Sequence, residues 1–214
     1  IKTTNYWKKI YNTRNMILII GGSGFVGSRL KKEINDFISQ DIKESGANFV
    51  DIRDLSSFNN NLNVEKIVLL AAEHADNIYP KSKYYETNVL GTKNVLKYCD
   101  KVNCKHLIFT SSVAVYGLNK DNPDENHPKD PFNDYGKSKL KAEELIKSWY
   151  DNDPKEKNIT IIRPTVIFGE KNRGNVYKLL RQIASNRFLL VGNGNNKKSM
   201  AYVGNVVSFI KYRL

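Results

Sequence analysis

The 214-residue sequence contains only two cysteines, Cys99 and Cys104. They are too few and too close for a disulfide framework, and no His or Cys pair has the spacing of zinc ligands. The longest apolar runs, Met16 to Ile20 and Ile67 to Ala72, are far shorter than the ~20 residues that span a bilayer. No secretory cleavage site follows an apolar stretch near the start. We therefore expect a cytoplasmic protein with no bound metal and no membrane partner.

Acidic residues are absent from the first fifteen positions, which carry +4 of the net charge of +12. In this interpretation the remaining +8 is mostly interleaved with Asp and Glu, as in KDNPDENHPKD, and forms no basic stripe with aromatic residues. The pattern favours a compositional bias over a nucleic-acid partner. A positive field also favours a substrate that carries two phosphates, such as a nucleotide sugar.

Short apolar runs alternate with longer amphipathic segments from Met16 onward. The apolar runs are MILII, FISQ, ANFV, KIVLLAA, HLIFTSS and ITIIRP, and the amphipathic segments are residues 25–34, 84–98, 135–150 and 176–184. Strands that are apolar on both faces and alternate with helices indicate a parallel sheet covered on both sides. The sequence therefore predicts a doubly wound α/β fold with a parallel sheet of about seven strands.

A glycine-rich turn, GGSGFVG from Gly21 to Gly27, lies between the first predicted strand and the first predicted helix. Glycine permits a sharp turn and a close approach of pyrophosphate to the backbone, and a helix N-terminus offers N–H groups to phosphates. The spacing fits both G-x-x-G-x-x-G and G-x-G-x-x-G. A turn without a ligand is the weaker interpretation, so we expect a dinucleotide site.

An acid about twenty residues beyond such a turn is expected to bind the ribose hydroxyls. Asp41 ends the second predicted strand at that distance, and its carboxylate favours NAD over NADP because it would repel a 2′-phosphate. Lys43 partly offsets that repulsion. Asp51 and Ile52 follow the next predicted strand and are candidates for the adenine edge. Entry into a helix is the alternative interpretation of these two residues.

The residues Tyr135 and Lys139 lie four positions apart at the start of a predicted helix, so they share one face. A neighbouring ammonium is expected to lower the phenol pKa from ~10, which makes the tyrosine a better base. The bare pattern is weak, because it also occurs in two predicted turns, at Tyr79 with Lys83 and at Tyr116 with Lys120.

Hydroxyl side chains end the strand HLIFTSS, at Thr110, Ser111 and Ser112. Open parallel sheets bind ligands at the carboxyl edge of their strands, where a hydroxyl can contact both a substrate oxygen and the tyrosine. Capping of the following segment is the alternative interpretation. The presence of Tyr135 favours a role in chemistry.

These motifs together resemble the extended short-chain dehydrogenase/reductase superfamily, specifically NAD-dependent sugar-nucleotide epimerases and dehydratases. They are GGSGFVG, LLAAEH, TNVLGTKNVL, FTSSVAVYG, YGKSK and IIRPTVIFG. The resemblance covers nearly the whole chain from Met16 onward. It implies a catalytic group of Ser112, Tyr135 and Lys139, with Asn88 organising the site. It implies NAD contacts at Gly21, Gly24, Phe25, Val26, Gly27, Asp41, Asp51, Ile52, Ala71, Ala72, Glu73 and Lys139.

Two departures from the family pattern shape the functional expectation. Dehydratases of the 4,6 type carry an Asp-Glu pair where this sequence has Val113 and Ala114, so dehydratase chemistry loses its acid and base. Relatives also continue well beyond the helix expected near Asn205, so we expect a truncated chain. The expected division is an extension over residues 1–15, an NAD-binding domain over 16–168, and the start of a substrate-binding lobe over 169–214.

The resemblance implies C4 epimerisation of a nucleotide sugar through a 4-keto intermediate. A 4-keto-sugar reductase is the alternative enzyme, and a non-catalytic cofactor sensor or nucleic-acid-binding protein is the alternative of another class. The family pairs through two long helices, so a homodimer is expected through residues 84–98 and 135–150. Arg173 is a candidate for a substrate phosphate or a solvated helix-entry residue. The expected substrate contacts are Ser112, Tyr135, Asn172, Arg173 and Asn175.

Overall fold

The computed structural model describes residues 16–118, 120–190 and 192–214, so the predicted extension over residues 1–15 lies outside the described residues. Its main sheet consists of five strands, β1 (Ile17–Ile20), β2 (Phe37–Gln40), β3 (Lys66–Leu69), β4 (His106–Thr110) and β5 (Asn158–Ile162). They are all parallel, in the order β2-β1-β3-β4-β5. A separate parallel pair joins β6 (Val166–Phe168) to β7 (Met200–Tyr202).

Six α-helices connect these strands in the described part of the chain. They are α1 (Phe25–Leu30), α2 (Ser82–Tyr85), α3 (Gly91–Lys101), α4 (Asp134–Asp151), α5 (Asn175–Ala184) and α6 (Val203–Arg213). A π-helical turn, Glu86–Leu90, joins α2 to α3. Three short 3₁₀ turns cover Gly46–Asn48, Leu55–Ser57 and Val113–Tyr116. None of the described helices is long and apolar enough to cross a membrane.

Successive side chains of the central strands are buried on opposite faces of the sheet. Leu18 and Ile20 of β1 belong to the apolar cluster that contains Val95 of α3 and Ile146 of α4. Ile19 lies between them in sequence and belongs to the other cluster, with residues of α1 and α6. Side chains alternate along a strand, so a sheet covered on both faces needs strands that are apolar throughout. This arrangement confirms the predicted doubly wound α/β class.

The seven strands are divided between two sheets, whereas a single sheet of about seven was expected. Pro164 follows β5 and has no backbone N–H, so it cannot extend the ladder of hydrogen bonds. Its carbonyl instead accepts a hydrogen bond from Val113 N at 3.1 Å. The chain then leaves the main sheet, and β6 pairs with β7.

The expected strand ANFV is also different in the structure. Residues Gly46–Asn48 form a 3₁₀ turn, in which Gly46 has a positive φ of 58°. Only Phe49 pairs with the sheet, through an isolated parallel bridge to Asp41. Because these residues form the turn, they do not extend the pairing into a strand.

Helix α6 packs on the main sheet. Val203, Val207 and Ile210 are buried in the same apolar cluster as Ile19 and Ile108. This helix therefore belongs to the sheet layers, whereas the sequence division had placed it in a substrate-binding lobe. The rest of that division stays a prediction.

Truncation of Ile210 tests whether α6 is part of the core. The side chain is fully buried, so Ile210→Ala is expected to lower the free energy of unfolding by about 2–5 kcal/mol. Phe209→Ala is the matched control because Phe209 is 46% exposed on the same helix. It should cost less than about 1 kcal/mol, since exposed positions contribute little. Denaturant unfolding measures both variants, and equal losses would contradict the packing of α6.

Candidate functional site

The glycine turn touches the end of β3 with no space for side chains. Gly21 has a φ of +91°, and a Cβ on it would collide with the backbone N of Ala71. A Cβ on Gly27 would lie 2.6 Å from Gly22 Cα and 2.7 Å from Gly21 O. The turn, the start of α1 and the loop after β3 are therefore held in direct backbone contact.

The N-terminus of α1 is open. Gly24 occupies the N-cap position and offers no side-chain hydrogen bond to the first turn. Phe25 and Val26 direct their side chains partly into the apolar cluster behind the sheet, which leaves their backbone as the part able to meet a ligand. A cavity of about 510 Å³ lies against this end of the helix. Free N–H groups and the helix dipole make such an end suitable for phosphate.

Asp41 is tied to the glycine turn. One carboxylate oxygen accepts the N–H of Ser23 at 3.0 Å, and the other accepts the N–H of Lys43 at 3.0 Å. The side chain is nearly buried. Each oxygen retains capacity for a second hydrogen bond, so bracing the turn and binding a ribose are compatible. The ribose role stays a prediction.

The two candidates for the adenine edge have other contacts. Asp51 pairs with Arg53 at 2.7 Å, and the hydrogen bond from that guanidinium lowers the pKa of the carboxyl. The Ile52 side chain is buried in the core, and a Cβ on Gly91 would lie 2.6 Å from Ile52 Cδ1. Its carbonyl accepts a hydrogen bond from Asn94. The Ile52 side chain therefore packs against α3, which leaves only the backbone of Ile52 for the predicted adenine contact.

Asn88 clamps the loop after β3, which contains the predicted contacts Ala71, Ala72 and Glu73. Its Oδ1 accepts the N–H of Glu73, and its Nδ2 donates to Glu73 O and to Ser138 Oγ, each at 2.9 Å. Asn88 itself is buried in the π-helical turn. One amide thus joins the loop to α4, and the organising role of Asn88 stays a prediction.

Tyr135 lies in the first turn of α4 and approaches Ser112. Asn133 caps this helix by accepting the N–H of Gly136 at 2.8 Å. A Cβ on Gly136 would lie 2.6 Å from Ala114 O, so glycine permits the close approach of α4 to the segment after β4. Burial raises the pKa of the Tyr135 phenol, and a hydrogen bond with the Ser112 side chain opposes that rise.

Lys139 lies one turn after Tyr135 and is buried. Its Nζ is 4.4 Å from the centroid of the Phe109 ring. Desolvation lowers the pKa of this amine to about 7, and the charge of Glu143 opposes the shift. The sequence had predicted that Lys139 would lower the pKa of Tyr135. In this structure that pKa is raised instead, because removal of the phenol from water outweighs the other influences.

A buried ion pair supports the site and was missed from the sequence. Glu143 accepts hydrogen bonds from Arg163 Nε at 2.9 Å and Nη2 at 2.7 Å, and from Ser111 Oγ at 2.6 Å. Arg163 Nη1 also donates to Tyr116 Oη at 2.7 Å. The sequence signal that could have revealed this ion pair was Glu143, an acid four residues after Lys139 on the same helix face. Ser111 is committed to this pair, which leaves Ser112 as the serine that contacts Tyr135.

The predicted substrate residues fall at two places. Asn172 and Arg173 line the cavity next to α1, together with Arg29 and Lys171. Asn172 Oδ1 accepts the N–H of Gly174 at 2.6 Å. Asn175 Nδ2 donates to Asp76 Oδ2 at 3.3 Å, and Asp76 lies beside Tyr135 in a second, smaller pocket. The substrate roles stay predictions.

The buried amine of Lys139 predicts a pH dependence of stability in cofactor-free protein. Its pKa is about 7 when folded and near 10.5 when unfolded, so the unfolded state binds more protons between these values. Wild-type stability should therefore rise by about 2 kcal/mol between pH 7 and 9 relative to Lys139→Met. Denaturant unfolding at each pH measures the difference. Lys141→Met is the control, because it removes an exposed lysine from the same helix, and its stability should follow that of the wild type at each pH. If the stability of the wild type and of Lys139→Met changed equally with pH, the burial of a titrating amine would be contradicted.

Sequence comparisons identify a family and several relatives of this chain. Residues 17–214 match the NAD dependent epimerase/dehydratase family. An Escherichia coli O157:H7 protein named N-acetyl-alpha-D-glucosaminyl-diphospho-ditrans,octacis-undecaprenol 4-epimerase is 56% identical over an alignment of 207 positions, which covers 92% of this chain. The match covers 62% of that relative, so this chain spans less than two thirds of its length. A putative UDP-glucose 4-epimerase of Methanocaldococcus jannaschii is 33% identical over an alignment of 217 positions, gaps included, which covers 89% of this chain and 70% of the relative.

Structural comparison agrees on the fold. The crystal structure of Thermus thermophilus UDP-glucose 4-epimerase in complex with NAD superimposes with a TM-score of 0.80 at 19% identity. It covers 93% of this chain and 74% of the other. The expected Rossmann-type fold and the family resemblance stated from the motifs are both confirmed. The chain belongs to the NAD dependent epimerase/dehydratase family.

Proposed function

We propose that the chain carries the catalytic half of an NAD-dependent C4 epimerase that acts on a sugar linked to a diphosphate. One observation carries the proposal. Tyr135 lies beside Ser112 after β4, the buried amine of Lys139 follows one helical turn later over the ring of Phe109 in β4, and the glycine turn follows β1 at the same carboxyl edge of the sheet. This arrangement brings a proton-transfer group next to a phosphate-binding turn, as hydride chemistry on a bound sugar requires.

The residues present fit a dinucleotide. Gly21 and Gly27 leave no Cβ where the backbone is crowded, and the N-terminus of α1 has no side-chain cap. The carboxylate of Asp41 beside the turn favours free ribose hydroxyls and therefore NAD over NADP. NAD, when bound, accepts a hydride from the sugar carbon and returns it. In this proposal Lys139 binds the ribose next to the nicotinamide.

The protein's own groups move the proton. In the forward direction the phenolate form of Tyr135 takes the proton of the sugar hydroxyl at Oη while Ser112 Oγ donates a hydrogen bond to the same oxygen. The raised pKa of Tyr135 means that the phenol is protonated at neutral pH, which suits the return of that proton to the keto oxygen. The forward step needs the phenolate, which a charged Lys139 would favour. Desolvation lowers the pKa of that amine to about 7, and the charge of Glu143 opposes the shift.

An epimerase is favoured over the alternatives. Val113 and Ala114 stand where 4,6-dehydratases carry acids, and the E. coli relative is named a 4-epimerase. A 4-keto-sugar reductase would use the same residues but consume NADH in proportion to product. A pure cofactor sensor would need the glycine turn and not the Tyr135, Lys139 and Ser112 group. The relatives' names place the sugar on either a nucleoside diphosphate or a polyprenyl diphosphate, and both share the diphosphate.

The predicted homodimer and the cytoplasmic location stay predictions. The faces proposed for pairing are on α3 and α4, which pack side by side with Trp149 Nε1 donating to Asp100 Oδ1 at 2.7 Å.

Substitution of Tyr135 tests the proposed chemistry. Tyr135→Phe removes the proton-transfer hydroxyl and is expected to lower kcat by about 10²–10⁴-fold while NAD binding is kept. The measurement is conversion of UDP-linked or polyprenyl-diphosphate-linked N-acetylglucosamine to its C4 isomer, with NADH absorbance recorded. Tyr79→Phe is the matched control, because Tyr79 has the same spacing to a lysine but is 86% exposed. Equal activity of the two variants would refute the role of Tyr135, and stoichiometric loss of NADH would identify a reductase.

Arg173 is proposed to bind a substrate phosphate. Its guanidinium lines the cavity and matches phosphate oxygens with two hydrogen bonds, which an ammonium cannot reproduce. Arg173→Lys is expected to raise KM about tenfold, equivalent to ~1.4 kcal/mol where KM reports affinity, with NAD binding unchanged. Arg187→Lys, at an exposed arginine of the following loop, is the control. An unchanged KM in Arg173→Lys would show that this side chain is merely solvated.

A further inference from the structure

Ser112, the serine proposed to contact the sugar oxygen, lies between two segments that are both anchored to one carboxylate. That carboxylate belongs to Glu143, which is only 1% exposed in the middle of α4. Its oxygens accept hydrogen bonds from Ser111 Oγ at 2.6 Å and from Arg163 Nε and Nη2 at 2.9 and 2.7 Å. Glu143 therefore joins α4 to the residue before Ser112 and to the residue that follows β5.

The residue before Ser112 is held by its backbone and by its side chain. The N–H of Ser111 donates to Ile162 O at 2.7 Å, at the end of β5, and the Ser111 hydroxyl donates to Glu143 of α4. A rotation of the backbone at Ser111 would break at least one of these two bonds. The start of Ser112 is thus fixed relative to α4, the helix that also carries Tyr135.

The segment after Ser112 is held by the second partner of Glu143. Arg163 Nη1 donates to Tyr116 Oη at 2.7 Å, and the guanidinium carbon lies 5.2 Å from the centroid of the same ring. Tyr116 ends the 3₁₀ turn Val113–Tyr116, whose N-cap residue is Ser112. The two ends of the segment that contains Ser112 are therefore tied to one buried carboxylate, directly on one side and through Arg163 on the other.

These ties fix the direction of the Ser112 hydroxyl. Ser112 Oγ accepts the N–H of Ala114 at 3.1 Å, which sets the position of the oxygen and leaves its proton available for donation. Helix α4 meets the same segment again at its first turn, where a Cβ on Gly136 would lie 2.6 Å from Ala114 O. The distance between Ser112 and Tyr135 thus depends on two contacts of α4 with this segment, one at Gly136 and one at Glu143.

A charged anchor supplies what an apolar one would lack. Apolar contacts of similar volume commonly stabilise a core at least as well as a buried ion pair does. They are also non-directional, whereas a carboxylate that binds two nitrogens of one guanidinium and a hydroxyl has a defined orientation. The hydrogen bonds of Glu143 therefore fix an angle as well as a distance between α4 and the end of β4.

We propose that Glu143 is a positioning residue, which sets the place of Ser112 relative to Tyr135 by anchoring the backbone on both sides of that serine to α4. The inference rests on the proposed function, in which Ser112 and Tyr135 act on one sugar oxygen. Glu143 acts through Ser111 and Arg163 and does not itself contact the substrate. A misplacement of about 1 Å in such a group costs up to ~10²-fold in rate.

Ser111→Ala tests the anchor with little disturbance, because it removes one hydroxyl and leaves the ion pair of Glu143 with Arg163 in place. We expect kcat for the C4 conversion of UDP-linked or polyprenyl-diphosphate-linked N-acetylglucosamine to fall by about tenfold to 10²-fold. KM and the Kd for NAD should stay unchanged, since the proposed contacts with substrate and cofactor remain. Tyr116→Phe removes the hydrogen bond on the other side of Ser112 and should lower kcat in the same way.

A raised KM with an unchanged kcat in Ser111→Ala would overturn the proposal, because the hydroxyl would then bind substrate directly. Glu143→Gln gives Arg163 a neutral partner and should lower kcat at least as far as Ser111→Ala does. Circular dichroism shows whether that variant folds. If it does not fold, Ser111→Ala and Tyr116→Phe decide the question, because both leave the ion pair intact.

Thr160→Val is the matched control. It removes a buried hydroxyl of β5 that accepts a hydrogen bond from Arg213 Nε of α6 at 3.1 Å, on the face of the sheet away from α4. The loss of a buried hydrogen bond to a charged group is therefore similar, but Ser112 is not anchored by it. Thr160→Val should keep the kcat of the wild type. An equal fall of kcat in Thr160→Val and Ser111→Ala would reduce the effect to a general loss of stability and overturn the proposal.

Amide hydrogen exchange separates this outcome from that of the proposed function, because it needs neither substrate nor cofactor. The N–H groups of Val113 and Ala114 donate within the anchored segment, to Pro164 O and Ser112 Oγ. In NMR spectra of the 214-residue chain they should exchange about tenfold faster in Ser111→Ala than in the wild type. Thr160→Val should leave their exchange unchanged.

The two measurements fail independently. Faster exchange in Ser111→Ala, together with a wild type that has no epimerase activity, would refute the proposed function and leave the anchor standing. An active wild type whose Ser111→Ala and Tyr116→Phe variants keep their kcat would overturn the positioning role and leave the proposed function standing. Unchanged exchange in Ser111→Ala would overturn the anchor whatever the activity.

Discussion

The arrangement of the site depends on three places where two backbones meet with no side chain between them. Gly21 meets the loop after β3, Gly27 meets the turn that precedes it, and Gly136 meets the segment after β4. At each place a Cβ would lie within 2.9 Å of backbone atoms, which cannot move aside as a flexible side chain can. The first two contacts position the phosphate turn, and the third positions Tyr135. The groups proposed for proton transfer and for cofactor binding thus share one edge of the sheet because glycine stands at these contacts.

Polar groups buried around these contacts fix the charges of the site. Asn88 forms hydrogen bonds with both the N–H and the carbonyl of Glu73, and the Glu143 carboxylate accepts hydrogen bonds from Arg163 and Ser111. Buried polar groups with all partners present are rigid, and breaking such a pair is costly. Lys139 differs, because no hydrogen bond or ion pair holds its amine in the described residues, and its pKa falls to about 7. The buried charges of Glu143 and Arg163 thus compensate each other. The buried amine of Lys139 has no such partner among the described residues, so a bound ligand can restore its charge.

The sequence predicted the features that depend on local pattern. The doubly wound fold followed from apolar strands alternating with amphipathic helices, and the Tyr135 and Lys139 pair followed from spacing on one helix face. Features that depend on distant partners were missed: Arg163 lies 20 positions from Glu143, and the pairing of β6 with β7 joins residues more than thirty positions apart. Ile52 shows the same limit, since its position after a short apolar run did not reveal that its side chain fills the space beside Gly91. The pKa of Tyr135 was expected to fall because a cation is near in sequence, whereas its direction is set by burial, which only the folded chain shows.

Charge distribution connects the site to the surface around it. Residues 16–170, which build the main sheet and the group proposed to be catalytic, contain 21 basic and 22 acidic residues, whereas residues 171–214 contain nine basic residues and no acid. Arg29, Lys32, Lys171 and Arg173 line the cavity, with Glu170 as the acid among them. A positive rim raises the local concentration of a diphosphate at low ionic strength, and that attraction is screened over about 10 Å in ~0.1 M salt.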